Sequence, residues 1–252
     1  MPLILLTNDD SIFSPGLKAL EEALSGLGDL YVVAPDTEKS AVSFTLTIQQ
    51  PLRVNRLDQR HFAVSGTPTD CAYLGIKTLL PKRPDFVVSG INLGANLGED
   101  TIYSGTVAGA FQSSLLGVPA LAVSAIENRE GEYDFTAASR IVRKLIPFLL
   151  DHPLEEGKIL SVNVPFRPKG VLFSKLGHKR YDSEIVEKVD PRGKPYYWIG
   201  PGHIRTFGEE ESDVKTVEKG YASVAPLSLD FCDERLYEDL KKGEENLLAT
   251  LF

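Results

Sequence analysis

Short apolar segments recur along the first two thirds of the chain, and several of them contain no alternating polar positions. A strand that is apolar on both faces is typical of a sheet covered on both sides, which favours a parallel arrangement. We therefore predict buried β-strands at residues 3–6, 30–34, 62–64, 86–88, 120–123 and 159–164.

Segments with helical spacing lie between most of these strands. Such alternation indicates an α/β fold, and we predict a Rossmann-like, doubly wound and mostly parallel sheet. The best-marked helix start has Thr67 as N-cap, Pro68 as first helical residue and Asp70 two residues further on. The apolar positions of the helices are Leu17, Leu20, Leu24 and Leu27; Cys71, Leu74 and Ile76; residues 107–116; and Ile141, Leu145, Phe148 and Leu149.

The sequence changes in character after about Pro165, where helical periodicity disappears and proline and glycine separate short β-prone pieces such as residues 196–199. We interpret this part as β-hairpins appended to the main sheet, followed by a charged helix within residues 233–248. Such an aromatic arm would act as a lid or an oligomer contact, and the second is favoured because an isolated hairpin is marginally stable. We expect residues 1–165 to form a catalytic core. Residues 166–252, with the hairpin arm, the last sheet segment and the terminal helix, would form a single structural unit with it.

Composition and charge narrow the classes of partner. The 252 residues are 42% hydrophobic, and 27 basic against 35 acidic residues give a net charge of -8. This balance argues against nucleic acid duplexes as partners, because their binding depends on clustered Lys and Arg. The two cysteines, Cys71 and Cys232, lack the spacing of a disulfide framework or a thiolate zinc site. With no signal peptide pattern and no apolar run of about 18 residues, we expect a cytoplasmic protein without membrane contact.

Polar residues follow three of the predicted strands, and ligands of open parallel sheets bind beyond the carboxyl ends of the strands. The first strand ends in Asp9-Asp10, the second leads through Asp36 to Lys39-Ser40, and the fourth runs into residues 89–96, which include Asn92 and Asn96. Adjacent carboxylates repel each other, and a cation is the simplest way to keep both ionised. Oxygen ligands of this kind favour Mg²⁺, Mn²⁺ or Ca²⁺ over zinc or copper. The alternative is that the two aspartates cap the following turn, a common role of Asp and Asn.

A second polar region lies in residues 90–98, where three glycines allow a ligand to approach the backbone closely. Ser104, Gly105 and Thr106 then open a helix rich in small residues. A helix N-terminus with two hydroxyl groups is suited to an anion, and phosphate is the commonest anion to bind there. The alternative is an ordinary N-cap at Ser104, and the two interpretations are compatible.

Several other catalytic motifs are absent from the sequence. It contains neither the glycine motif of P-loop NTPases nor that of dinucleotide-binding proteins, and it has no nucleophile elbow. The four histidines lie outside the polar loops and are interpreted as surface or packing residues. His178 has basic neighbours that could reach a substrate phosphate, although a solvated turn is the favoured interpretation of that segment.

Five motifs occur in a characteristic order: TNDD at 7–10 with SPG at 14–16, VAPD at 33–36 with KS at 39–40, GTPTDC at 66–71, SGINLGANLG at 89–98, and YSGTV at 103–107. In this order they resemble the stationary-phase survival protein SurE family. The resemblance covers nearly the whole chain, more loosely after Asp182, where residues 220–227 are similar to the last sheet segment of the family.

The resemblance implies a divalent-metal-dependent phosphatase that hydrolyses nucleoside monophosphates. It implies one divalent ion per subunit, Mg²⁺ or Mn²⁺, and a homodimer or homotetramer formed through the C-terminal arm. The implied metal ligands are Asp9, Asp10, Ser40 and Asn92. The implied phosphate-binding residues are Asn96, Ser104, Gly105 and Thr106, and the catalytic residues are Asp9, Asp10 and Asn96.

The chain departs from the family pattern at four places, none of which removes a metal ligand. They are Ser11 in place of a glycine, Ser43-Phe44, Gln112-Ser113 and Ser212-Asp213-Val214. One alternative function is a non-catalytic nucleotide- or metal-sensing module, which would be favoured if Ser11 and Phe44 blocked the site. A second is an aspartyl-phosphate phosphatase, although its Asp-x-Asp spacing is absent.

Overall fold

The computed structural model describes residues 1–200 and 202–242. The strands are β1 (Leu3–Thr7), β2 (Asp29–Pro35), β3 (Val54–Arg56), β4 (His61–Val64), β5 (Phe86–Leu93), β6 (Ala120–Ala125), β7 (Lys158–Val164), β8 (Val171–Phe173), β9 (His178–Asp182), β10 (Ile185–Val189), β11 (Pro195–Ile199), β12 (His203–Phe207) and β13 (Ala222–Ser228). The helices are α1 (Pro15–Leu24), α2 (Pro68–Leu74), continued by a π-helical turn (Gly75–Leu79), α3 (Asp100–Tyr103), α4 (Gly105–Leu115), α5 (Thr136–Asp151), α6 (Asp213–Glu218) and α7 (Glu234–Lys242).

A nine-stranded sheet in the order β3-β4-β2-β1-β5-β6-β7-β13-β8 forms the centre of the protein. In this order, the six strands β4, β2, β1, β5, β6 and β7 are all parallel to their neighbours. At the two ends of this parallel region, β3 pairs antiparallel with β4 and β13 pairs antiparallel with β7. The predicted α/β fold with a mostly parallel sheet is thus confirmed.

Helices cover both faces of this sheet, which explains why its strands are apolar on both sides. On one face, α1 and α5 contribute Leu20, Leu24 and Ile146 to a core that also contains Ile4 and Leu6 of β1. On the other face, α2 and α4 contribute the second core, whose members include Cys71, Val107, Ala110 and Phe111. Each large aliphatic side chain buried in this way contributes about 1.5–3 kcal/mol relative to exposure.

The C-terminal part divides between the main sheet and a separate arm. β13 overlaps the predicted last sheet segment at 222–227 and joins the central sheet, while β9 pairs with β12 and β10 with β11 as two separate antiparallel ladders. The aromatic strand β11 is solvent-facing in this chain, and Trp198 is 63% exposed. Helix α7 occupies part of the predicted helical segment, whose residues 243–248 lie outside the described residues.

No helix within residues 1–200 and 202–242 has the length and apolar character needed to cross a membrane. The elements missed from the sequence, β3, β8, α3 and α6, are three to six residues long. Segments of that length are too short to show hydrophobic periodicity.

The predicted start of α2 is confirmed as a capping box. The Thr67 hydroxyl accepts a hydrogen bond from the Asp70 backbone N–H at 3.2 Å, and the Asp70 carboxylate accepts one from the Thr67 N–H at 2.9 Å. The Thr67 hydroxyl also donates to the Thr45 carbonyl at 2.6 Å. By contrast, the buried hydroxyl of Thr69 has no hydrogen-bond partner.

We expect Thr67→Val to lower the free energy of unfolding by about 1–2 kcal/mol, because a cap and a tertiary hydrogen bond are lost together. The matched variant Thr69→Val makes the same chemical change where no bond exists, so its effect should stay within about 0.5 kcal/mol or be stabilising. Denaturant unfolding of both variants measures the difference. Equal destabilisation by the two changes would contradict the capping role.

Candidate functional site

The candidate site lies at the carboxyl edge of the parallel strands, where the strand order reverses. β1 is flanked by β2 and β5, so the chain leaves β1 in one direction and returns on its other side. This is the position at which α/β sheets open a crevice for ligands. The cavity there has a volume of about 650 Å³, and its wall includes Asp9, Asp10, Glu38, Ser40, Asn92, Asn96, Asp100, Tyr103, Ser104, Lys179 and Tyr181.

Asp9 is buried at the end of β1 and receives its hydrogen bonds from the first turn of α4. The Thr106 backbone N–H donates to Oδ2 at 3.1 Å, and the Thr106 hydroxyl donates to Oδ1. Burial raises the pKa of Asp9, and the bonds from Thr106 oppose that effect. The N-terminus of an α-helix stabilises negative charge, so the first turn of α4 offsets part of the effect of burial on Asp9.

Asp10 is partly buried and faces the same cavity. Its Oδ2 accepts a hydrogen bond from the Leu93 backbone N–H at 2.9 Å. Burial, with smaller contributions from the nearby charges of Asp9 and Glu38, raises the pKa of Asp10 to about 6. Because burial disfavours the ionised form of both carboxylates, a bound cation would stabilise them by favouring that form.

Ser40 and Asn92 bring neutral oxygen atoms to the same cavity. The Ser40 hydroxyl donates to Glu38 Oε1 at 2.6 Å, which leaves the lone pairs of its oxygen available. The Asn92 side chain donates from Nδ2 to the Gly94 carbonyl at 2.8 Å, and its Oδ1 lies 3.4 Å from the Thr106 hydroxyl that also contacts Asp9.

The donor set therefore fits a hard divalent cation. It combines two carboxylates with a hydroxyl and an amide oxygen, the ligand chemistry of Mg²⁺ and Mn²⁺. No group of three or more His, Cys, Asp or Glu side chains in the described part of the chain is arranged to hold a metal ion. A metal in this cavity would thus depend on Asp9 and Asp10 for charge and on neutral oxygens for the remaining contacts.

The residues predicted to bind phosphate lie beside these carboxylates. Asn96 and Ser104 line the cavity. The Ser104 hydroxyl accepts a hydrogen bond from the Val107 N–H at 3.1 Å, so the predicted N-cap is confirmed. Thr106 is fully buried with its hydroxyl on Asp9, and a Cβ on Gly105 would lie 3.0 Å from Asp9 Oδ2. The phosphate-binding role of this turn remains a prediction.

Lys179 and Tyr181 come from the arm and were not predicted as site residues. The Lys179 ammonium group lies 2.6 Å from Asp100 Oδ2, and the Tyr181 hydroxyl lies 2.7 Å from Asp100 Oδ1. The favoured interpretation of this segment as a solvated turn was wrong, because it forms β9 and the Lys179 side chain is only 16% exposed. The basic character of the segment was the signal that could have identified Lys179 as a site residue.

His178, in the same segment, pairs with Glu99 and stacks on Phe207, as a packing histidine.

Two departures from the family pattern leave the cavity open. Phe44 packs against Phe111 with ring centroids 5.7 Å apart, in the second hydrophobic core. Ser11 adopts a positive φ of 84°, a conformation that glycine adopts without strain. The cavity wall contains neither of these residues, nor Gln112.

Comparisons with known proteins identify relatives of this chain. The family model described as "Survival protein SurE" matches residues 4–183, which is more than half of the chain. This chain belongs to the SurE family. The match includes every candidate site residue, from Asp9 to Tyr181. The structure of the SurE protein from Aquifex aeolicus is similar with a TM-score of 0.82 and 38% identity, over 96% of this chain and 100% of that one.

Relatives of known name in the SurE family cover almost the same length. The 5'-nucleotidase SurE of Geotalea daltonii is 46% identical over 245 residues, which cover 96% of this chain and 98% of that protein. The 5'-nucleotidase SurE of Geobacter sulfurreducens is 48% identical over 232 residues, which cover 90% of this chain and 88% of that protein. The resemblance found in the sequence is thus confirmed.

The raised pKa of Asp10 predicts how this SurE protein responds to pH when it is kept metal-free with a chelator. Because the folded pKa of about 6 exceeds the ordinary 3.8, ionised Asp10 destabilises the fold above pH 6, and this effect disappears as the pH falls toward about 4. We expect Asp10→Asn to raise the free energy of unfolding by about 1 kcal/mol at pH 8, after allowance for partial exposure, and to leave it unchanged at pH 4.

Urea unfolding at the two pH values measures this difference. Asp151→Asn, at the exposed end of α5, is the matched control and should change stability at neither pH. A loss of stability in Asp10→Asn at pH 8 would contradict the assignment of a strained carboxylate.

Proposed function

We propose that this chain is a divalent-metal-dependent phosphomonoesterase that hydrolyses nucleoside monophosphates to nucleoside and phosphate. The observation that carries the proposal is the pair of carboxylates, Asp9 and Asp10, which face one cavity beside the N-terminus of α4 although burial opposes their ionisation. The relatives named 5'-nucleotidase SurE support the substrate class.

Asp9, Asp10, Ser40 and Asn92 would hold one ion per subunit, Mg²⁺ or Mn²⁺. When bound, such an ion neutralises charge on the phosphoryl oxygens and lowers the pKa of a water molecule. Thr106 keeps Asp9 in place through its N–H and hydroxyl groups. Glu38 accepts a hydrogen bond from the Ser40 hydroxyl, so the lone pairs of that hydroxyl are directed away from Glu38.

Asn96, Ser104 and the backbone at Gly105 would orient the phosphoryl group, with Asp9, Asp10 and Asn96 as the catalytic residues. Phosphoryl transfer needs in-line geometry and compensation of negative charge more than covalent participation by the protein. Among the described residues that line the cavity, four are carboxylates and only Lys179 is cationic. Lys179 would contact an anionic or hydroxylated part of the substrate.

Phosphate release from a panel of nucleoside monophosphates, with Mg²⁺, Mn²⁺ or EDTA, tests this function. We expect Asp9→Asn and Asp10→Asn each to lower kcat/KM by at least about 100-fold, because the amide keeps the shape and removes the charge that holds the cation. Asp151→Asn should retain full activity. Hydrolysis that persists in EDTA, or in both site variants, would refute the metal assignment.

The same panel separates catalysis from nucleotide sensing. If the wild-type protein binds nucleotide in the presence of metal, as measured by calorimetry, and releases no phosphate from any member of the panel, the activity is refuted. A trapped phosphoenzyme would instead assign Asp9 or Asp10 as a covalent nucleophile.

We also propose that the arm forms a subunit contact, in a homodimer or homotetramer located in the cytoplasm. Tyr197, Trp198 and Ile199 on β11 are each at least 60% exposed in the single chain. A two-stranded ladder with exposed aromatic residues gains stability when another surface covers it. The two cysteines, which form no disulfide, are in keeping with a reducing compartment.

Replacement of Tyr197 and Trp198 together by serine should lower the molar mass measured by light scattering. The expected cause is the loss of apolar surface at the contact, worth several kcal/mol for two aromatic side chains. Tyr73→Ser, at an exposed position on α2, is the control that should leave the mass unchanged. An assembly of the same size in the double variant would refute the arm contact.

A further inference from the structure

Asn163 is a buried polar residue near the carboxyl end of β7, in a strand that is otherwise mostly apolar. It is 1% exposed. Its side-chain amide pairs with the backbone of Asn96: Oδ1 accepts a hydrogen bond from the Asn96 N–H at 2.8 Å, and Nδ2 donates to the Asn96 carbonyl at 3.0 Å. Only this orientation of the amide satisfies both backbone groups.

The side chain of Asn96 is held by β6, the strand that lies beside β7. Ser124 of β6 lies directly opposite Asn163 in the sheet register, and its hydroxyl accepts a hydrogen bond from Asn96 Nδ2 at 2.8 Å. Two adjacent strands of the rigid sheet therefore hold both the backbone and the side chain of Asn96. This leaves Asn96 Oδ1 as the end of the side chain that the two strands do not engage.

The segment that carries Asn96 needs such an anchor. It lies between Gly94 and Gly98, which have positive φ angles of 118° and 52°, and it belongs to no helix or strand. Glycines at such positions permit the turn but do not fix it. A displacement of about 1 Å in a group at a reacting centre is sufficient to reduce a rate about 100-fold.

We propose that Asn163 is a positioning residue, which fixes Asn96 for its contact with the phosphoryl group through a two-bond pair with the Asn96 backbone. The inference rests on the proposed phosphatase function, in which Asn96 faces the substrate. Asn163 itself acts from β7 and contacts no reacting atom.

A double-mutant cycle with Asn96 distinguishes positioning from a purely structural role. We expect Asn163→Ala to lower kcat/KM for the best nucleoside monophosphate by at least about tenfold, mainly through kcat. In the Asn96→Ala background the same change should have little further effect, because the group that it positions is already absent. Two independent losses that multiply would overturn the proposal.

The matched control is Ser161→Ala, on the same strand and the same face two residues earlier. Its hydroxyl lies 3.4 Å from Asn163 Nδ2, so the change removes one long hydrogen bond and leaves the pair with Asn96 intact. Activity of Ser161→Ala should stay within about twofold of the wild type. A loss equal to that of Asn163→Ala would overturn the specific role of Asn163.

Asn163→Asp covers the case in which the alanine variant does not fold. Its protonated side chain can make both bonds to Asn96, whereas the ionised form faces the Asn96 carbonyl with an oxygen atom. We expect kcat relative to the wild type to rise as the pH falls, and a constant ratio across the pH range would count against the proposal.

Hydrogen exchange of the Asn96 backbone amide, followed by NMR, is a readout that does not depend on activity. We expect exchange at least about tenfold faster in Asn163→Ala than in Ser161→Ala, because an amide that loses its acceptor loses protection. If the wild type releases no phosphate from any nucleotide, the phosphatase function fails on that result alone. Exchange at Asn96 then still decides the anchoring by Asn163, and an unchanged rate would refute it.

Discussion

The contact between the Asp9 carboxylate and the first turn of α4 is the constraint on which the candidate site depends. A buried carboxylate is costly unless donors surround it, and the N–H and hydroxyl groups of Thr106 supply them. The helix must begin close to the end of β1 for this contact to form. Small residues make that approach possible: a Cβ on Gly109 would lie 3.0 Å from Ser89 Oγ, and one on Gly105 would press on Asp9.

The position of the two aspartates at the edge of the sheet also explains how a stable fold can hold two buried carboxylates side by side. The carboxyl ends of two neighbouring parallel strands, β1 and β5, bring Asp9, Asp10 and Asn92 to one edge of the sheet, and burial raises the pKa values of the two acids. The sheet is rigid enough to hold both carboxylates where they repel each other. Binding of a cation would relieve this repulsion, so the same electrostatic strain that raises the two pKa values would favour metal binding at the proposed site.

Local patterns were sufficient to predict most of the framework. Six apolar runs correspond to β1, β2, β4, β5, β6 and β7, and the Thr67 capping box marks the start of α2 within one residue. The strand-end rule, which needs only the order of strands and the polar residues after them, gathered Asp9, Asp10, Ser40 and Asn92 into one cavity.

The remaining site features depend on contacts between distant segments, which hydrophobic spacing does not encode. The Thr106 hydroxyl contacts a residue 97 positions away, and Asn163 contacts one 67 positions away. Lys179 reaches the cavity because β9 lies beside α3, where the Lys179 ammonium group donates a hydrogen bond to Asp100. A polar residue near the end of an apolar strand is a signal that could have identified Asn163, since burial of an unpaired amide is costly.

The antiparallel pairing of β13 with β7 has a consequence for synthesis on the ribosome. β7 is buried at all positions but its first, and on the side where β13 lies its backbone finds a hydrogen-bonding partner only after residue 228 has been made. Translation at about 5–20 residues per second takes several seconds to add the roughly 60 residues in between. During that interval the nascent chain presents an apolar sheet edge, which is the kind of surface that holdase chaperones cover. The last strand of the sheet thus sets the moment at which the polypeptide becomes independent of such protection.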